Sequence, residues 1–343
     1  MTEFPGDVFA HSFDSSELVA VAEQPEPLSF DRTKPVVVTG AAGFVGTRTC
    51  SLLVERGWTV RAVVRNTTKA AERLGHLKIE IRGGDFREAE SMRAALNGAG
   101  AMIHLAAIAI EKKGERYEDV NTRATQVLLD ACRAESVKRI VFMSQNGADA
   151  HSPYRFLRSK GIAEDAVKKS GMGWSVLKPS VIFGGDDEFV NVLARLVRLS
   201  PIIYPVPGGG TARFQPLAVG DVARAIVKCL QDDATIHRTF SLGGPAPLTL
   251  RQMVERILVA MNTSRVLVAV PVSMLRPLIA LAQKLLPHPP VTTGLLDLLK
   301  IDNVVSPNDL VSELGIDPIP FAPEELLYLR KITFSSAARS LLR

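Results

Sequence analysis

The sequence predicts an α/β protein with a doubly wound parallel sheet, followed by a smaller, mostly helical C-terminal region. Two observations support this fold class. Strand-like and helix-like segments alternate from about residue 35 onward, and the first strand passes into the first helix through glycines at positions 40, 43 and 46. Such alternation is typical of a parallel sheet that is covered by helices on both faces.

The glycine turn lies in the segment from Lys34 to Gly46, which reads KPVVVTGAAGFVG. In a Rossmann-type unit, this turn aims the free N–H groups of a helix at a pyrophosphate, so side chains must be absent where the backbone approaches it. Gly40 is expected to make the turn, Gly43 to admit the phosphates and Gly46 to let the helix approach the strand. The other cofactor contacts predicted here are Ala42, Phe44 and Val45.

Length and composition indicate a globular protein with more than one part. A chain of 343 residues with 46% apolar and 22% charged residues exceeds what one core usually organises. We therefore predict a dinucleotide-binding domain over 35–245, of which 185–213 contributes to a second region, and a C-terminal substrate or partner region over 246–343. The three cysteines are far apart in sequence, so free thiols are expected and no metal site is predicted.

Residues 1–34 differ in charge from the rest of the chain and are predicted to be a flexible acidic leader. They hold seven acidic and two basic residues, and removing this net charge of −5 from the total of +5 leaves about +10 on the remainder. The segment lacks the order of a secretory signal, and a mitochondrial presequence avoids acids, so a cytoplasmic protein is expected. The basic residues are scattered, which argues against a nucleic-acid partner.

Cofactor choice depends on the end of the second predicted strand, Thr59 to Val64. A protein that binds the unphosphorylated cofactor usually has an acid there, but this chain has Arg65, with Lys69 a turn onward. Two cations at this position can pair with a 2′-phosphate, so NADP(H) is favoured over NAD(H). The alternative is that Arg65 is a solvated loop residue.

Further cofactor contacts are predicted where later strands end. Asp85, after a third strand over 77–82, could reach the adenine amino group or could instead be the N-cap of a helix over 88–96. The fourth strand, 101–107, runs into small residues where the nicotinamide ribose could approach the backbone. The predicted contacts of these two segments are Asp85, Phe86, Leu105, Ala106 and Ala107.

Several segments resemble the short-chain dehydrogenase/reductase superfamily, and most closely its atypical extended, epimerase/dehydratase-like members. The matching segments are TGAAGFVG (39–46), GD (84–85), HLAA (104–107), KPSVIFG (178–184) and FQPLAVGDVARAI (214–226), together with Asn121, Ser144 and Lys160. The tail LGIDPIPFAPEELLYLRK (314–331) is similar to the group that includes the NADPH-binding accessory subunit of respiratory complex I and its bacterial relatives. The resemblance implies a Rossmann fold, but this group contains both enzymes and non-catalytic binders.

The resemblance also implies a catalytic set of Ser, Tyr and Lys, with the Tyr four residues before the Lys. Ser144 and Lys160 have matching places, but Phe156 occupies the Tyr position. Tyr154 is six residues before Lys160, about 240° around a regular helix, so it could act only if the helix start at 152–153 is bent. The resemblance assigns Asn121, Ser144, Lys160 and Lys178 to the nicotinamide half of the cofactor.

The segment 266–286 carries an apolar stripe beside Arg276 and Lys284. It is too short and too charged to span a bilayer, so it is interpreted either as a face for a membrane surface or hydrophobic partner, or as the lid of a substrate cleft. Smaller predictions in this half are a loop over 205–210, a helix cap at Asp221 and a capping box opened by Thr249.

Two functions are consistent with these features. The first is a non-catalytic or weakly catalytic NADP(H)-binding accessory or sensor protein of a membrane-associated, NADH:quinone oxidoreductase-like redox assembly, attached through 266–286 on the cytoplasmic side. The second is an NADP-dependent reductase or epimerase/dehydratase acting on an apolar or prenylated small molecule, with Tyr154 or a substrate group replacing the missing Tyr.

Overall fold

A computed structural model describes residues 31–342 of the chain, apart from 112, 113, 287, 288 and 290. The acidic leader predicted over 1–34 therefore lies almost wholly outside the described residues. The seven strands of the main sheet are β1 (Val36–Thr39), β2 (Val60–Val64), β3 (Glu80–Gly83), β4 (Ala101–His104), β5 (Arg139–Met143), β6 (Gly173–Pro179) and β11 (Arg238–Leu242). Six short strands complete the set: β7 (Ile182–Phe183), β8 (Ile203–Pro207), β9 (Arg213–Phe214), β10 (Leu217–Ala218), β12 (Leu248–Thr249) and β13 (Val266–Val270).

The helices alternate with these strands in the first part of the chain and predominate in the last. They are α1 (Phe44–Glu55), α2 (Thr67–Leu74), α3 (Ala89–Leu96), α4 (Ala124–Ala134), α5 (Arg155–Lys168), α6 (Val190–Leu199), α7 (Val219–Gln231), α8 (Leu250–Ala260), α9 (Val272–Leu285), α10 (Thr293–Leu298), α11 (Asp309–Ser312) and α12 (Phe334–Leu342). Among the described residues, no helix has both the length and the apolar character needed to cross a bilayer.

The main sheet is parallel throughout, with strand order β11-β6-β5-β4-β1-β2-β3. Successive residues of β1 point to opposite faces, so Val36 and Val38 join one apolar cluster with helices α1 and α7, while Val37 joins a second with α3, α4 and α5. Because both faces are covered, the central strands are continuous apolar runs rather than alternating ones. The predicted doubly wound α/β fold is confirmed.

A third apolar cluster lies outside the sheet, around helices α6 and α8. It includes Phe183, Val190, Phe214, Ile257 and Phe321, whose positions in the chain are far apart. The capping box predicted at the start of α8 is present, because Thr249 accepts from the N–H of Gln252 and the Gln252 side chain accepts from the N–H of Thr249. This cluster packs the later helices against the short strands β7, β8, β9, β10 and β12.

The predicted loop over 205–210 is wrong in its first half. Residues Ile203–Pro207 form β8, which pairs in parallel with β13, and only 208–210 make a turn of 3₁₀-helix. Two prolines are tolerated in β8 because it pairs on one side only, so an edge position can do without a proline N–H.

Two further expectations at element ends need correction. Asp221 does not cap a helix, because α7 begins at Val219 and its N-cap is Ala218. Glu88, rather than Asp85, occupies the N-cap of α3. A π-helical stretch, Glu118–Arg123, leads directly into α4.

Candidate functional site

Three glycines connect β1 to the start of α1, and at two of these positions no other residue would fit. Gly40 has a φ of +71°, and a Cβ there would lie 2.8 Å from the backbone N of Ala106. A Cβ at Gly46 would lie 2.0 Å from the carbonyl oxygen of Gly40, so the helix could not approach the strand. Gly43 is the N-cap of α1 and offers no side chain to its first-turn amides, which lack intrahelical partners in any helix. The turn therefore presents the positive end of α1 to an anion.

A cleft of about 390 Å³ lies over this turn, at the carboxyl ends of β1, β2 and β4. Its size is in the usual range for small-molecule sites. Seven of the predicted cofactor residues line it: Gly40, Ala42, Gly43, Arg65, Phe86, Ala106 and Ala107. Asp85 and Leu105 adjoin lining residues in sequence, and Val45 and Gly46 lie in the first turn of α1, but none of the four lines the cleft. The geometry fits a dinucleotide phosphate at this turn.

Among the described residues, the lining of this cleft includes four cationic and no acidic side chains: Arg65, Lys69, Arg73 and Arg87. Three of them also have a carboxylate partner outside the lining. Arg65 donates to Glu115 at 2.5 Å, Arg87 is bound to Asp85 and Arg73 is bound to Asp186. The bond from Arg87 lowers the pKa of Asp85, so this carboxylate is held as the partner of an arginine.

Ser144 and Lys160, which the resemblance assigns to catalysis, are both buried and both bonded to the protein itself. The Ser144 hydroxyl donates to Glu164 Oε2 at 2.7 Å. The Lys160 ammonium donates to the carbonyl of Met143 at 2.7 Å and lies 4.6 Å from the centre of the Phe142 ring. Burial lowers the pKa of Lys160 to about 7, although the charge of Glu164 opposes that shift.

Glu164 connects this cluster, and sequence reasoning missed it. It lies one turn after Lys160 on α5 and is 4% exposed. Besides Ser144, it pairs with Lys168 at 2.7 Å and approaches Lys178 at 3.6 Å, while Lys178 also donates to the carbonyl of Ala148 at 3.0 Å. The only signal in the sequence was the spacing of 160, 164 and 168, which places all three side chains on one face of the helix.

Tyr154 does not lie on the helical face of Lys160. It is the N-cap of α5, with extended backbone angles, and its N–H donates to the Ser152 hydroxyl at 3.3 Å. Tyr154 lines a separate cavity of about 330 Å³ together with Phe156 and Tyr117, whose ring centroids are 5.7 Å apart. The helix thus begins after Tyr154, and the described residues show no hydrogen bond from it to Ser144 or Lys160.

Asn121 and His104 hold the elements beside this cluster in place. The Asn121 side chain accepts from the N–H of Ile108 at 2.9 Å and donates to its carbonyl at 3.0 Å, and it also donates to Ser159 at 3.1 Å. His104 is fully enclosed and is bonded to Thr39 at 2.7 Å, and burial with the charge of Lys160 lowers its pKa to about 3. His104 is therefore a neutral structural residue.

A further cavity of about 450 Å³ opens from Phe44 toward α6 and α10. Phe156, Leu193, Phe214 and Leu298 contribute to a lining that is mainly apolar. Phe44, predicted as a cofactor contact, lines this cavity rather than the cleft.

The glycine turn, the cationic cleft and the parallel sheet together define an NAD(P)-binding Rossmann protein. A family model described as NAD(P)H-binding matches residues 40–233, more than half of the chain, and the chain belongs to this family. A solved structure of Thermus thermophilus UDP-glucose 4-epimerase in complex with NAD is similar at a TM-score of 0.65 with 21% identity, covering 89% of this chain and 99% of that one. The fold is therefore that of the epimerases and dehydratases.

Two relatives carry the names of respiratory-complex subunits. The chain is 32% identical over 227 residues to NADH dehydrogenase [ubiquinone] 1 alpha subcomplex subunit 9, mitochondrial, of Arabidopsis thaliana, which covers 64% of this chain and 56% of that protein. It is 25% identical over 299 residues to the NADH-ubiquinone oxidoreductase 40 kDa subunit, mitochondrial, of Neurospora crassa, covering 85% of this chain and 78% of that one. The match to the first relative thus spans little more than half of that protein's length.

Proposed function

We propose that this chain is an NADP(H)-binding accessory or sensor protein of a membrane-associated redox assembly, with little or no turnover of its own. The observation that supports this most is the register of α5. Phe156 stands where a proton donor is required, and the two remaining polar groups, Ser144 and Lys160, are bonded to Glu164 and to the Met143 carbonyl. A bound nicotinamide could exchange hydride, but a carbonyl acceptor also needs a positioned proton.

Preference for the phosphorylated cofactor is part of this proposal. Arg65 and Lys69 line the cleft just after β2, and neither β2 nor the turn after it places a carboxylate in that lining. A charge-assisted contact to a 2′-phosphate contributes about 1.5–3 kcal/mol. We therefore propose at least tenfold tighter binding of NADPH than of NADH.

The proposal also includes attachment: the segment 266–286 binds a membrane surface or a membrane-bound partner. No residue of α9 is buried, and Leu278 and Leu285 are 65% and 71% exposed. Arg276 and Lys284 flank this face, so apolar burial and attraction to an acidic surface would act together. The similarity to relatives named as respiratory subunits supports the same partner class. We place the protein on the cytoplasmic side and retain 246–343, with 185–213, as the region that meets the partner.

The test measures binding and turnover separately on the full chain. Calorimetry should show firm NADPH binding, while NADPH oxidation with simple aldehydes and ketones should stay at the rate of a protein-free blank. Lys160→Ala should weaken binding, whereas Lys228→Ala, at a half-buried lysine on α7 that lies outside the cleft lining, should leave it unchanged. Robust turnover by the wild type would overturn the non-catalytic assignment.

The second candidate is a reductase or epimerase/dehydratase acting on an apolar or prenylated substrate. The apolar cavity that begins at Phe44 favours it, because a substrate in that cavity would lie beside the glycine turn. Tyr154 would then have to supply the proton from its place at the start of α5. NADPH oxidation that disappears in Tyr154→Phe would establish this function in place of the first.

A further inference from the structure

The cavity that opens at Phe44 is enclosed by residues from distant parts of the chain. α6 contributes Val192, β9 contributes Phe214 and α10 contributes Leu298, while Val181 and Ile182 close the side toward the sheet. Its volume of about 450 Å³ is that of a site for a small organic molecule. The site is therefore built by the fold rather than by one exposed groove.

The charges around this cavity exclude one large class of ligand. Its described lining contains no Lys, Arg or His, but it does include Asp187, Glu188 and Asp302. Asp187 is buried and accepts from the N–H groups of Phe189 and Asn191 at the start of α6. A phosphate or carboxylate ligand would lose its water here without gaining a cation, and nearby acids would repel it. The site is thus unsuited to a nucleotide sugar such as the substrate named for the structurally similar epimerase.

One edge of the cavity carries neutral hydrogen-bonding groups. Asn146 donates through Nδ2 to Asn303 Oδ1 at 2.9 Å, Gln145 donates through Nε2 to the Pro179 carbonyl at 3.2 Å, and Ser180 donates to the Asn303 carbonyl at 2.6 Å. These bonds use the amide nitrogens of Asn146 and Gln145, and within the described residues their amide oxygens have no hydrogen-bond donor. Such groups can hold a hydroxyl or carbonyl in an otherwise apolar site.

We propose that this cavity is a binding site for a neutral, largely apolar molecule that carries one hydroxyl or carbonyl at its end. The chain lies against the aromatic and aliphatic lining, and the polar end meets the Asn146, Asn303 and Gln145 amides. The binding does not depend on hydride transfer or on membrane attachment, so it stands whichever proposed function is correct.

The test uses decanol and decanoate, which share a chain length and differ in the charge of the end group. Calorimetry on the full chain should show decanol binding at least tenfold more tightly than decanoate, with no detectable binding of UDP-glucose. Equal binding of the alcohol and the carboxylate, binding of neither, or binding of UDP-glucose at the cavity would overturn the proposal.

Two variants locate the site. Val192→Lys places a cation in the cavity and should reverse the order, so that decanoate binds more tightly than decanol, while Val192→Trp should fill the space and weaken both at least tenfold. Val311→Lys and Val311→Trp, at a position 47% exposed outside the cavity, are the matched controls and should behave as the wild type. NADPH affinity checks that each variant is folded. Folded Val192 variants that bind decanol as the wild type does would contradict the assignment.

Discussion

The guanidinium of Arg65 lies 2.5 Å from Glu115 at the rim of the cationic cleft. A 2′-phosphate that binds Arg65 must compete with this carboxylate and also lies near its negative charge. We therefore expect Glu115→Gln to increase NADPH affinity severalfold and to leave NADH affinity nearly unchanged, while Arg65→Glu should reverse the preference. Calorimetry with both cofactors measures this, and Arg251→Glu, at an exposed arginine on α8, is the control. Equal affinity of the wild type for the two cofactors would contradict the assignment to NADP(H).

The buried ammonium of Lys160 predicts how stability depends on pH. Burial lowers its pKa to about 7 in the folded state, against about 10.4 in an unfolded chain. Between these values the unfolded state binds more protons, so the contribution of Lys160 to the free energy of unfolding rises with pH, by up to about 1.4 kcal/mol per pH unit. Below pH 7 its charged form destabilises the fold.

Denaturant unfolding from pH 7 to 9.5 measures this slope. Lys160→Met should remove it, so the free energy of unfolding of the variant should exceed that of the wild type most clearly at pH 7. Lys228→Met, at a half-buried lysine on α7, is the control and should leave the slope unchanged. A slope that is the same in the wild type and in Lys160→Met would show that folding does not lower the pKa of Lys160.

For single residues, the sequence predicts a role where only one structural requirement explains the residue type. Gly40 and Gly46 could be assigned because no other residue fits, and Phe156 could be recognised because its register with Lys160 is local to one helix. Glu164 could not be assigned, because its role depends on Ser144 and Lys178, which come from two different strands. Only the folded sheet brings those strands beside α5.

The proposed attachment through 266–286 can be tested at the exposed apolar residues of helix α9. Leu278 and Leu285 are exposed. Truncating a large buried side chain would lower the free energy of unfolding by about 2–5 kcal/mol, whereas truncating an exposed one should lower it little. We expect Leu278→Gln with Leu285→Gln to lower the free energy of unfolding only slightly, to keep NADPH binding, and to move the protein from the membrane or large-complex fraction to the soluble one. Native gels of fractionated lysate measure this.

The matched control for this experiment is Val259→Gln with Leu327→Gln. These residues are 65% and 47% exposed but lie outside the segment 266–286. The control variant should fractionate as the wild type does. Wild-type protein that is wholly soluble and unassociated, or a double α9 variant that unfolds, would contradict the docking role.

A helix or strand could be predicted where its pattern of apolar residues lies within one segment. A strand that pairs with a distant segment was harder to predict. The capping box that opens α8 is contained in its own sequence, so the start of this helix could be predicted. β8 was missed because Pro205 and Pro207 argue against a strand, and its partner β13 is about sixty residues later in the chain. A pattern within one segment does not show that a second segment will pair with it.

The segment 308–314, near the end of the chain, packs against the main sheet. The stability of this segment therefore depends on the sheet. Leu310 and Leu314 belong to the apolar cluster of β1 and α7. Asp309 accepts from the N–H of Ser241 at 2.7 Å, and Asn308 accepts from the N–H of Gly243 at 3.1 Å, so this segment also bonds to β11 and the turn after it. The chain continues from this segment to Phe321 and Leu326 in the cluster around α6 and α8, so the sheet and that cluster share one continuous C-terminal segment.

This connection predicts one cooperative unfolding transition. Trp58 and Trp174, the two tryptophans of the chain, both lie in the sheet part, so their fluorescence reports that part, whereas far-UV circular dichroism reports all helices. We expect the two signals to give the same midpoint, and NADPH at about 100 times its Kd to raise the free energy of unfolding by about 2.7 kcal/mol in both. Leu310→Ala should lower both midpoints together, while Val311→Ala, its exposed neighbour, should lower neither. A dichroism transition that precedes the fluorescence transition, with only the latter shifted by NADPH, would show that the region around α6 and α8 unfolds independently.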